Sequence, residues 1–296
     1  MKYISVAQTA KKWKVSERMV RNYCAGGRIP GAFLVGKTWL LPEDAVKPKK
    51  VRTKPFSPHP LLSALKEQKD MQLRGSIYHK TQIAFTYNSN HMEGSTLSEE
   101  QTRLIFETST INAEDRAVNV DDVVETANHF ACVDYVIDNA NKPISESMIK
   151  ELHFILKNGT ADSRKPWFNV GEYKGLPNHM GGEETCPPQM VKKEMVALIK
   201  GYNDLKETGL QEILDFHQKF ESIHPFQDGN GRVGRLLMFK ECLKNGIVPF
   251  IIDEYHKIYY YRGLKEWGRE KGYLTDTCLS CQDVYKKWLE YFNIEY

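Results

Sequence analysis

The chain has 296 residues, long for one domain and comfortable for two, of which 41% are hydrophobic and 27% charged, a balance that is ordinary for a soluble globular protein. It contains no run of 18 or more apolar residues, so no membrane-spanning helix and no membrane partner are expected. The polar, basic start MKYISVAQTAKKW lacks the apolar stretch of a signal peptide. Its six Cys residues are scattered apart from Cys278-x-x-Cys281, so we expect reduced thiols and a cytoplasmic protein.

Charge is distributed unevenly along the chain. Residues 1–55 hold 13 Lys or Arg against 3 Asp or Glu, a net charge of +10, while the remainder holds 28 against 35, a net charge of −7. A compact basic segment joined to an acidic body indicates that one end binds a polyanion. The alternative is a basic face that only contacts solvent.

The first 46 residues carry signals for two short helices and a hairpin. Ser5-Val-Ala-Gln8 is a capping box that opens a helix through Trp13. Ser16 can cap a second helix through about Cys24. The segment AFLVGKTWLL, residues 32–41, has two apolar runs separated by Gly-Lys, which predicts a hairpin.

This order resembles the winged helix-turn-helix of MerR and excisionase proteins, with Gly26-Gly27 ending the second helix. The resemblance implies that residues 1–46 bind DNA and that the second helix enters the major groove. The candidate DNA contacts are Arg18, Arg21 and Asn22 on that helix and Lys37 at the hairpin tip. The alternative is a small protein-interaction module on the same scaffold.

Residues 47–62 are expected to form a linker. The stretch KPKKVRTKPFSPHP contains four Pro and five Lys or Arg and has neither helical nor strand periodicity. We therefore divide the chain into a DNA-binding domain (1–46), this basic linker, and a second domain at 63–296.

The second domain is predicted to be mainly α. A capping box begins at Ser98, and the segment 169–188, rich in Gly and Pro, predicts a loop or β-hairpin between helices. Segments with apolar residues at three- and four-residue spacing are 121–138, 144–157, 190–206 and 210–223.

The stretch HPFQDGNGRVGR, residues 224–235, joins two predicted helices. The first helix should end at His224, because Pro225 disfavours helical backbone in the residue before it. The second should begin near Gly231 and place backbone N–H groups of the Gly-Asn-Gly turn at its positive end, which makes an anion site.

The side chains of this stretch have the chemistry for phosphate transfer. Arg232 and Arg235 lie three residues apart and could bind a chain of phosphates. Asp228 is a hard oxygen ligand suited to Mg²⁺, and His224 could accept a proton from a hydroxyl. Together they predict attack of a hydroxyl on a nucleotide phosphate. A P-loop of the GxxxxGK[ST] type is absent.

HPFQDGNGRVGR resembles the complete signature of the Fic family, H-x-F-x-D/E-G-N-G-R-x-x-R. The resemblance covers roughly residues 63–296 and implies a Fic-type helical bundle with a β-hairpin flap. It implies transfer of AMP from ATP, with Mg²⁺, to a Tyr, Ser or Thr hydroxyl of a protein. The implied roles are His224 as general base, Phe226 as loop anchor, Asp228 as metal ligand, Gly229, Asn230 and Gly231 around the α- and β-phosphates, Arg232 at the β-phosphate and Arg235 at the γ-phosphate.

A second motif, SNHMEG, resembles the inhibitory signature of the family, S/T-x-x-x-E-G/N. It supplies Ser89, Glu93 and Gly94 and predicts an inhibitory helix near residues 85–94. A carboxylate of Glu93 that reaches Arg235 would occupy the guanidinium that the γ-phosphate needs. The alternative is a Glu at a helix end that pairs only with solvent.

Two further segments correspond to family features. The flap segment, residues 169–188, would bind the target protein by strand addition, with Tyr173 or Met180 clamping its side chain. Tyr260 and Tyr261 begin a YYxxL stretch that resembles the helix beside the adenine, although core packing explains them equally well. An Asn often follows seven residues later, and here that position is Gly268.

We therefore predict a protein adenylyltransferase held inactive by Glu93. One alternative is a hydrolase that removes AMP in the same pocket. Another is a DNA-binding regulator whose Fic domain only senses nucleotide. A homodimer would suit a DNA-binding arm, and the sequence names neither the target protein nor the DNA site.

Overall fold

The computed structural model describes residues 2–25, 29–35, 38–48, 59–113 and 117–296, apart from the side chains of Arg18, Asn22, Ala25, Met180 and Glu183. The chain divides into two compact units, Met1–Ser57 and Pro58–Tyr296, which we call the N-terminal unit and the helical unit. Three predictions lie outside the described residues: the Gly26-Gly27 helix stop, the Gly36-Lys37 turn and most of the linker.

The N-terminal unit contains two helices and a three-stranded antiparallel sheet. Its elements are β1 (Tyr3–Ser5), α1 (Val6–Trp13), α2 (Glu17–Ala25), β2 (Phe33–Val35) and β3 (Thr38–Pro42). The strand order is β1-β3-β2. β1 has only three residues, too few to show a strand period, and the sequence did not indicate it.

The predicted helix start at Ser5 is present with both hydrogen bonds of the capping box to Gln8. Ser16 accepts a hydrogen bond from the backbone N–H of Met19, which opens α2 as expected. The buried side chains of this unit form one apolar cluster beneath the sheet: Val6, Ala10, Trp13, Val20, Tyr23, Cys24, Ile29 and Leu41. The two helices and the strand pair agree with the expected elements; the DNA-binding role stays a prediction.

The helical unit is built from ten helices among its described residues, so the mainly α prediction is confirmed. They are α3 (Pro60–Asp70), α4 (Ile77–Met92), α5 (Glu99–Thr108), α6 (Val120–Asp138), α7 (Glu146–Lys157), α8 (Pro188–Asn203), α9 (Leu210–Ile223), α10 (Asn230–Lys244), α11 (Lys257–Glu266) and α12 (Gly272–Tyr291). α3 begins at Pro60, within the segment predicted as linker.

α10 lies at the centre of this unit. Every residue from Arg232 to Leu243 is buried, and the helix packs against α4, α6, α7 and α9. A helix surrounded on all sides must be largely apolar, and RVGRLLMFKECL meets that requirement except at its charged positions. The charged side chains near its N-terminus therefore need partners inside the protein.

The flap segment forms a short β-hairpin, as predicted. β4 (His179–Met180) pairs antiparallel with β5 (Glu183–Glu184). Gly181 and Gly182 connect the strands with positive φ angles of 58° and 86°, as a tight primed turn requires.

None of the described helices is both long enough and apolar enough to cross a lipid bilayer. Cys278 and Cys281 are buried free thiols in the apolar contact between α11 and α12. Within the described part of the chain, no three His, Cys, Asp or Glu side chains converge as a ready-made metal cage.

Candidate active site

His224 terminates α9 with a left-handed backbone conformation, φ 51° and ψ 62°. Its backbone N–H donates to the carbonyl of Phe220 at 2.9 Å, and Pro225 prevents the helix from continuing. A non-glycine residue in this conformation is strained. This conformation turns the chain sharply from α9 into the loop, so that the imidazole lies where the loop begins.

The imidazole of His224 is held in one tautomer. Its Nδ1 lies 3.3 Å from the carbonyl oxygen of Glu221 and donates a hydrogen bond to it, which leaves Nε2 with a lone pair. Burial lowers the pKa of His224, and the nearby charge of Lys174 lowers it further. The imidazole is therefore neutral at pH 7 and can accept a proton.

The loop after His224 is fastened from within. Phe226 is completely buried, and its ring stacks on that of His153 with centroids 4.0 Å apart. The side chain of Asn230 accepts from the backbone N–H of Phe226 at 2.8 Å and donates to its carbonyl at 2.9 Å. The Asn230 amide thus shapes the loop, so only its backbone N–H could serve the predicted phosphate contact.

The N-terminus of α10 presents backbone N–H groups that have no acceptor within the helix. Gly229 precedes the helix with φ 79°, a conformation that favours glycine. The first N–H groups of a helix have no intrahelical acceptor and carry the positive end of its dipole. A Cβ on Gly231 would overlap the carboxylate of Glu93, so glycine is needed there for the carboxylate to lie over this helix end.

Arg235 is buried and is hydrogen-bonded through Nε and Nη2 to the segment that carries the second motif. Its Nε donates to the hydroxyl of Ser89 at 3.0 Å, and its Nη2 donates to the carbonyl of Ser89 at 2.9 Å and to Oε1 of Glu93 at 2.7 Å. Burial opposes the charge of Arg235, but the Glu93 carboxylate raises its pKa above the usual value. The guanidinium predicted to bind the γ-phosphate is therefore occupied.

Glu93 reaches Arg235 because α4 ends beneath it. Glu93 is the C-cap of α4, and Gly94 follows with φ 98°, which a side chain would disfavour. The inhibitory helix was predicted near 85–94, and the observed helix, Ile77–Met92, places Ser89 in its last turn and Glu93 at its end.

Arg232 and Arg235 turn toward different helices, although both belong to the start of α10. Arg232 is buried and pairs with Glu125 of α6 and, at 3.3 Å, with Oδ2 of Asp228. Lys157, at the end of α7, lies between the same two carboxylates and reaches Oδ2 of Asp228 at 2.6 Å. Two cations and two anions thus alternate beside the loop.

Asp228 suits a divalent cation. Burial would raise its pKa, but the charges of Arg232 and Lys157 lower the pKa well below the ordinary range, so the carboxylate is ionised. Both cations reach Oδ2, and 46% of the side chain remains exposed. A single exposed carboxylate is what Mg²⁺ needs when substrate phosphates and water supply its other ligands.

The two tyrosines of the YYxxL stretch have different environments. Tyr260 is completely buried, and its hydroxyl lies 2.6 Å from Nε2 of His217. The core-packing alternative therefore describes Tyr260, which offers no surface to a nucleotide here. Tyr261 is 42% exposed, and burial and the charge of Glu93 raise its pKa to about 12. A nucleotide contact by Tyr261 stays a prediction.

The two candidate clamp residues in the flap segment also differ. The hydroxyl of Tyr173 is buried, Lys150 lies over its ring with Nζ 4.6 Å from the centroid, and Phe226 packs against it at 5.8 Å. Tyr173 therefore supports the loop from below. The side chain of Met180 lies outside the described part of the structure.

The candidate DNA contacts are described only in part. Arg21 is exposed on α2 and pairs with Glu17 at 2.6 Å, one helical turn earlier. The side chains of Arg18 and Asn22, and the whole of Lys37, lie outside the described residues. Contact of these four residues with DNA stays a prediction.

Sequence reasoning missed Glu125, Lys157 and Lys174, the last of which lies beside His224. One signal was available for Lys157. It continues the buried stripe of α7 at the position after Leu156, four residues beyond His153, and a Lys on an apolar face needs an internal anion. No comparable signal was available for Glu125. Asp121 and Asp122 open the same helix, so another acidic residue nearby does not stand out in the sequence.

Residues 143–242 match the sequence model of the Fic/DOC family. The matched segment lies within the helical unit and includes the loop 224–235. A protein adenylyltransferase Fic of Culex quinquefasciatus is 29% identical over 189 residues, which cover 60% of this chain and 35% of that protein. Protein adenylyltransferase fic-1 of Caenorhabditis elegans is 26% identical over 194 residues, covering 62% and 36%. The matched part thus spans about a third of these relatives.

Solved structures show the same fold. A Fic-domain signalling protein of Bacteroides thetaiotaomicron superimposes with a TM-score of 0.60 at 24% identity, covering 77% of this chain and 94% of that one. Residues 134–508 of C. elegans Fic-1 give a TM-score of 0.63 at 20% identity, covering 79% and 72%. These likenesses establish a Fic-type helical fold for the helical unit.

Proposed function

We propose that the helical unit is a protein adenylyltransferase that transfers AMP from ATP to a Tyr, Ser or Thr hydroxyl of a target protein. The observation that carries this proposal is the orientation of His224. Its Nδ1 donates to the Glu221 carbonyl, so Nε2 is the proton acceptor beside the anion-binding N-terminus of α10. The names of the related proteins support the same activity.

In the proposed reaction, Nε2 of His224 removes the proton from the target hydroxyl as its oxygen attacks the α-phosphorus of ATP. The new P–O bond joins AMP to the target. The bond from the α-phosphorus to the bridging oxygen breaks, and pyrophosphate leaves with the electron pair. His224 then returns its proton to solvent.

The phosphates would lie over the first turn of α10, where Gly229, Asn230 and Gly231 supply backbone N–H groups. Arg232 would contact the β-phosphate and Arg235 the γ-phosphate. Asp228 would hold Mg²⁺, which when bound offsets negative charge on the phosphate oxygens. Tyr261 would lie near the adenine.

Glu93 would keep this activity low in the resting protein. Its carboxylate already occupies the Arg235 guanidinium at 2.7 Å, and it lies over the helix end that must receive the phosphates. ATP can then bind only in a pose that His224 cannot use. Activation requires Glu93 to leave, after which Arg235 is free for the γ-phosphate.

The target protein would add a strand to the flap hairpin, whose strands β4 and β5 form an isolated pair. Strand addition holds an extended segment through its backbone and so tolerates varied side chains. The modified hydroxyl would then be presented to His224, since the flap segment is hydrogen-bonded to the catalytic loop through Asn178 and Phe226.

Removal of AMP in the same site is the competing direction. Only Oε1 of Glu93 takes part in the contact with Arg235, and the side chain is 28% exposed. The second oxygen could therefore orient a water molecule toward an AMP-modified residue. Loss of AMP release in a Glu93→Gln variant would favour this direction.

We also propose that residues 1–46 bind DNA, with Arg18, Arg21, Asn22 and Lys37 as contacts. The support is the net charge of +10 in residues 1–55 and the observed order of two helices followed by a strand pair. Binding should weaken steeply with salt, and Arg21→Ala should reduce the salt slope by about one. An unchanged slope in Arg21→Ala removes this residue from the interface. ATP-dependent operator binding that survives His224→Ala would favour the nucleotide-sensing regulator.

The position of the label in ATP tests the transferase proposal. Protein extract is incubated with the Glu93→Gly variant and ATP labelled at either the α- or the γ-phosphorus. Retention of the α-label alone, with release of labelled pyrophosphate from the γ-form, is expected for AMP transfer. Retention of the γ-label would indicate a kinase, and retention of neither would contradict transfer.

A further inference from the structure

Lys174 is a buried cation in the flap segment, between α7 and the hairpin. Only 4% of it is exposed. Its Nζ donates to Oδ1 of Asn178 at 2.6 Å, to the hydroxyl of Thr185 at 2.5 Å and, at 3.4 Å, to the carbonyl of Ile223. All three acceptors are neutral.

These contacts join the hairpin to both sides of His224. Ile223 precedes His224, and the backbone N–H of Lys174 donates to the carbonyl of Pro225, which follows it, at 2.8 Å. Asn178 donates in turn to the carbonyl of Phe226 at 2.8 Å. The side chain and backbone of one residue thus connect the flap to the catalytic loop.

A buried ammonium without a carboxylate is costly. The described ion pairs of the helical unit place a carboxylate beside Lys157 and beside Lys240, whereas the recorded contacts of Lys174 are with neutral groups. Burial lowers the pKa of Lys174 to about 8, with Cys186 acting weakly in the other direction. A neutral residue would avoid this cost, so the charge itself requires an explanation.

We propose that Lys174 is a positioning residue of the catalytic site: its side chain and backbone fix the flap against the loop that carries His224, and its ammonium places a positive charge beside the imidazole. The proposal rests on the proposed function and assigns this residue to it. Lys174 touches neither substrate nor reacting atoms. It acts through His224 and through the hairpin that would hold the target.

The groups that shift the pKa of His224 come from four elements: the flap segment, α4, the loop after His224 and α9. Lys174 lowers the pKa of His224, while the Glu93 carboxylate at the end of α4, Asp228 in the loop and the Glu221 carbonyl of α9 raise it. Burial is the largest effect and also lowers it. Without the Lys174 charge, the Glu93 and Asp228 carboxylates act on His224 without this opposing cation, so the pKa of His224 should rise.

The test compares Lys174→Met, which keeps an unbranched apolar side chain but removes the ammonium, with Lys174→Arg, which retains both charge and donors. The Cε1–H resonance of His224 is followed by NMR from pH 5 to 9 and assigned by its loss in His224→Gln. We expect a higher pKa of His224 in Lys174→Met and a value close to wild type in Lys174→Arg. An unchanged pKa in Lys174→Met would overturn the electrostatic role.

Amide hydrogen exchange in the flap tests, on the same samples, whether Lys174 fixes the flap against the loop. Exchange at residues 178–185 should become about tenfold faster in Lys174→Met, as expected for the loss of a charged hydrogen bond, and should be restored in Lys174→Arg. Equal acceleration across the whole helical unit would indicate a general loss of stability and would contradict a positioning role.

Both measurements are independent of catalysis, so the proposal can fail separately from the transferase assignment. In the Glu93→Gly background, the acid limb of kcat/KM should move to higher pH in Lys174→Met, and KM for the target should rise. If Glu93→Gly transfers nothing, the proposed function fails while the NMR result still decides the role of Lys174. If transfer occurs with an unshifted limb and KM, Lys174 is not a positioning residue.

Discussion

The Glu93 carboxylate and the Arg235 guanidinium lie 2.7 Å apart although 142 residues separate them in the sequence. Arg235 is anchored from below by both the hydroxyl and the carbonyl of Ser89. The anchor fixes the guanidinium at a position where either the carboxylate or a phosphate can be its partner. Competition for this one group is the basis of the inhibition we propose.

Replacing Glu93 by Gly or Gln should raise the rate of AMP transfer by about 10- to 100-fold, the value of one hydrogen bond between charged groups. Initial rates at saturating ATP measure this effect. Glu254→Gln is the matched control, because Glu254 is an exposed carboxylate whose ion-pair partners among the described residues are His91 and Lys257. A similar gain in the control would attribute the effect to net charge.

The pH dependence of transfer should show a single acid limb from His224. Its pKa is lowered from the ordinary value of 6.5 by burial and by Lys174, and the base works only when neutral. The rate should therefore be constant near pH 7 and fall below pH 6.5. A limb centred above pH 7 in kcat/KM would contradict His224 as the base.

Lys157→Met should lower the free energy of unfolding of the helical unit. After the change, Arg232 is the one described cation that still pairs with Glu125 and Asp228. The free energy of unfolding should therefore fall by about 2–4 kcal/mol, near the lower end for breaking a buried ion pair. Thermal denaturation measures it. Lys200→Met is the control, because that lysine forms an exposed pair with Asp204 and should change stability by less than about 0.5 kcal/mol.

Glu221 should make stability fall with rising pH. Burial raises the pKa of this carboxyl to about 8, whereas in the unfolded chain it ionises near 4.5. Between these values unfolding releases a proton, so a rise in pH favours the unfolded state. Glu221→Gln should gain stability relative to wild type between pH 5 and pH 8. If the free energies of unfolding of wild type and Glu221→Gln differ by the same amount at pH 5 and at pH 8, Glu221 is already ionised in the folded protein.

The loop that follows His224 could be predicted from local sequence because its geometry is local. Pro225 sets the end of α9, Gly229 supplies a positive φ, and the start of α10 follows within two residues. The capping boxes at Ser5 and Ser98 act over three residues and were equally visible. Such features depend on steric and hydrogen-bonding rules that neighbouring residues already satisfy.

The partners of the loop could not be predicted in the same way. Glu125 and Lys157 reach Arg232 and Asp228 only because α6 and α7 pack beside α10, and the sequence does not state which helix faces align. The resemblance to a family indicated Glu93, whose role is likewise long-range. The resemblance misled at Tyr260. The family motif suggested a nucleotide contact, but the residue is buried between α11 and α9, where its hydroxyl contacts His217.

Intact mass after incubation with ATP and Mg²⁺ tests the central claim most directly. Wild type, Glu93→Gly and the double variant Glu93→Gly/His224→Ala are compared at equal concentration. We predict that Glu93→Gly alone gains the mass of AMP, because only it combines a free Arg235 with an intact base. A gain in the double variant would contradict a His224-dependent transferase, and an equal gain in wild type would contradict inhibition by Glu93. No gain in any of the three proteins would show that self-modification is not its chemistry.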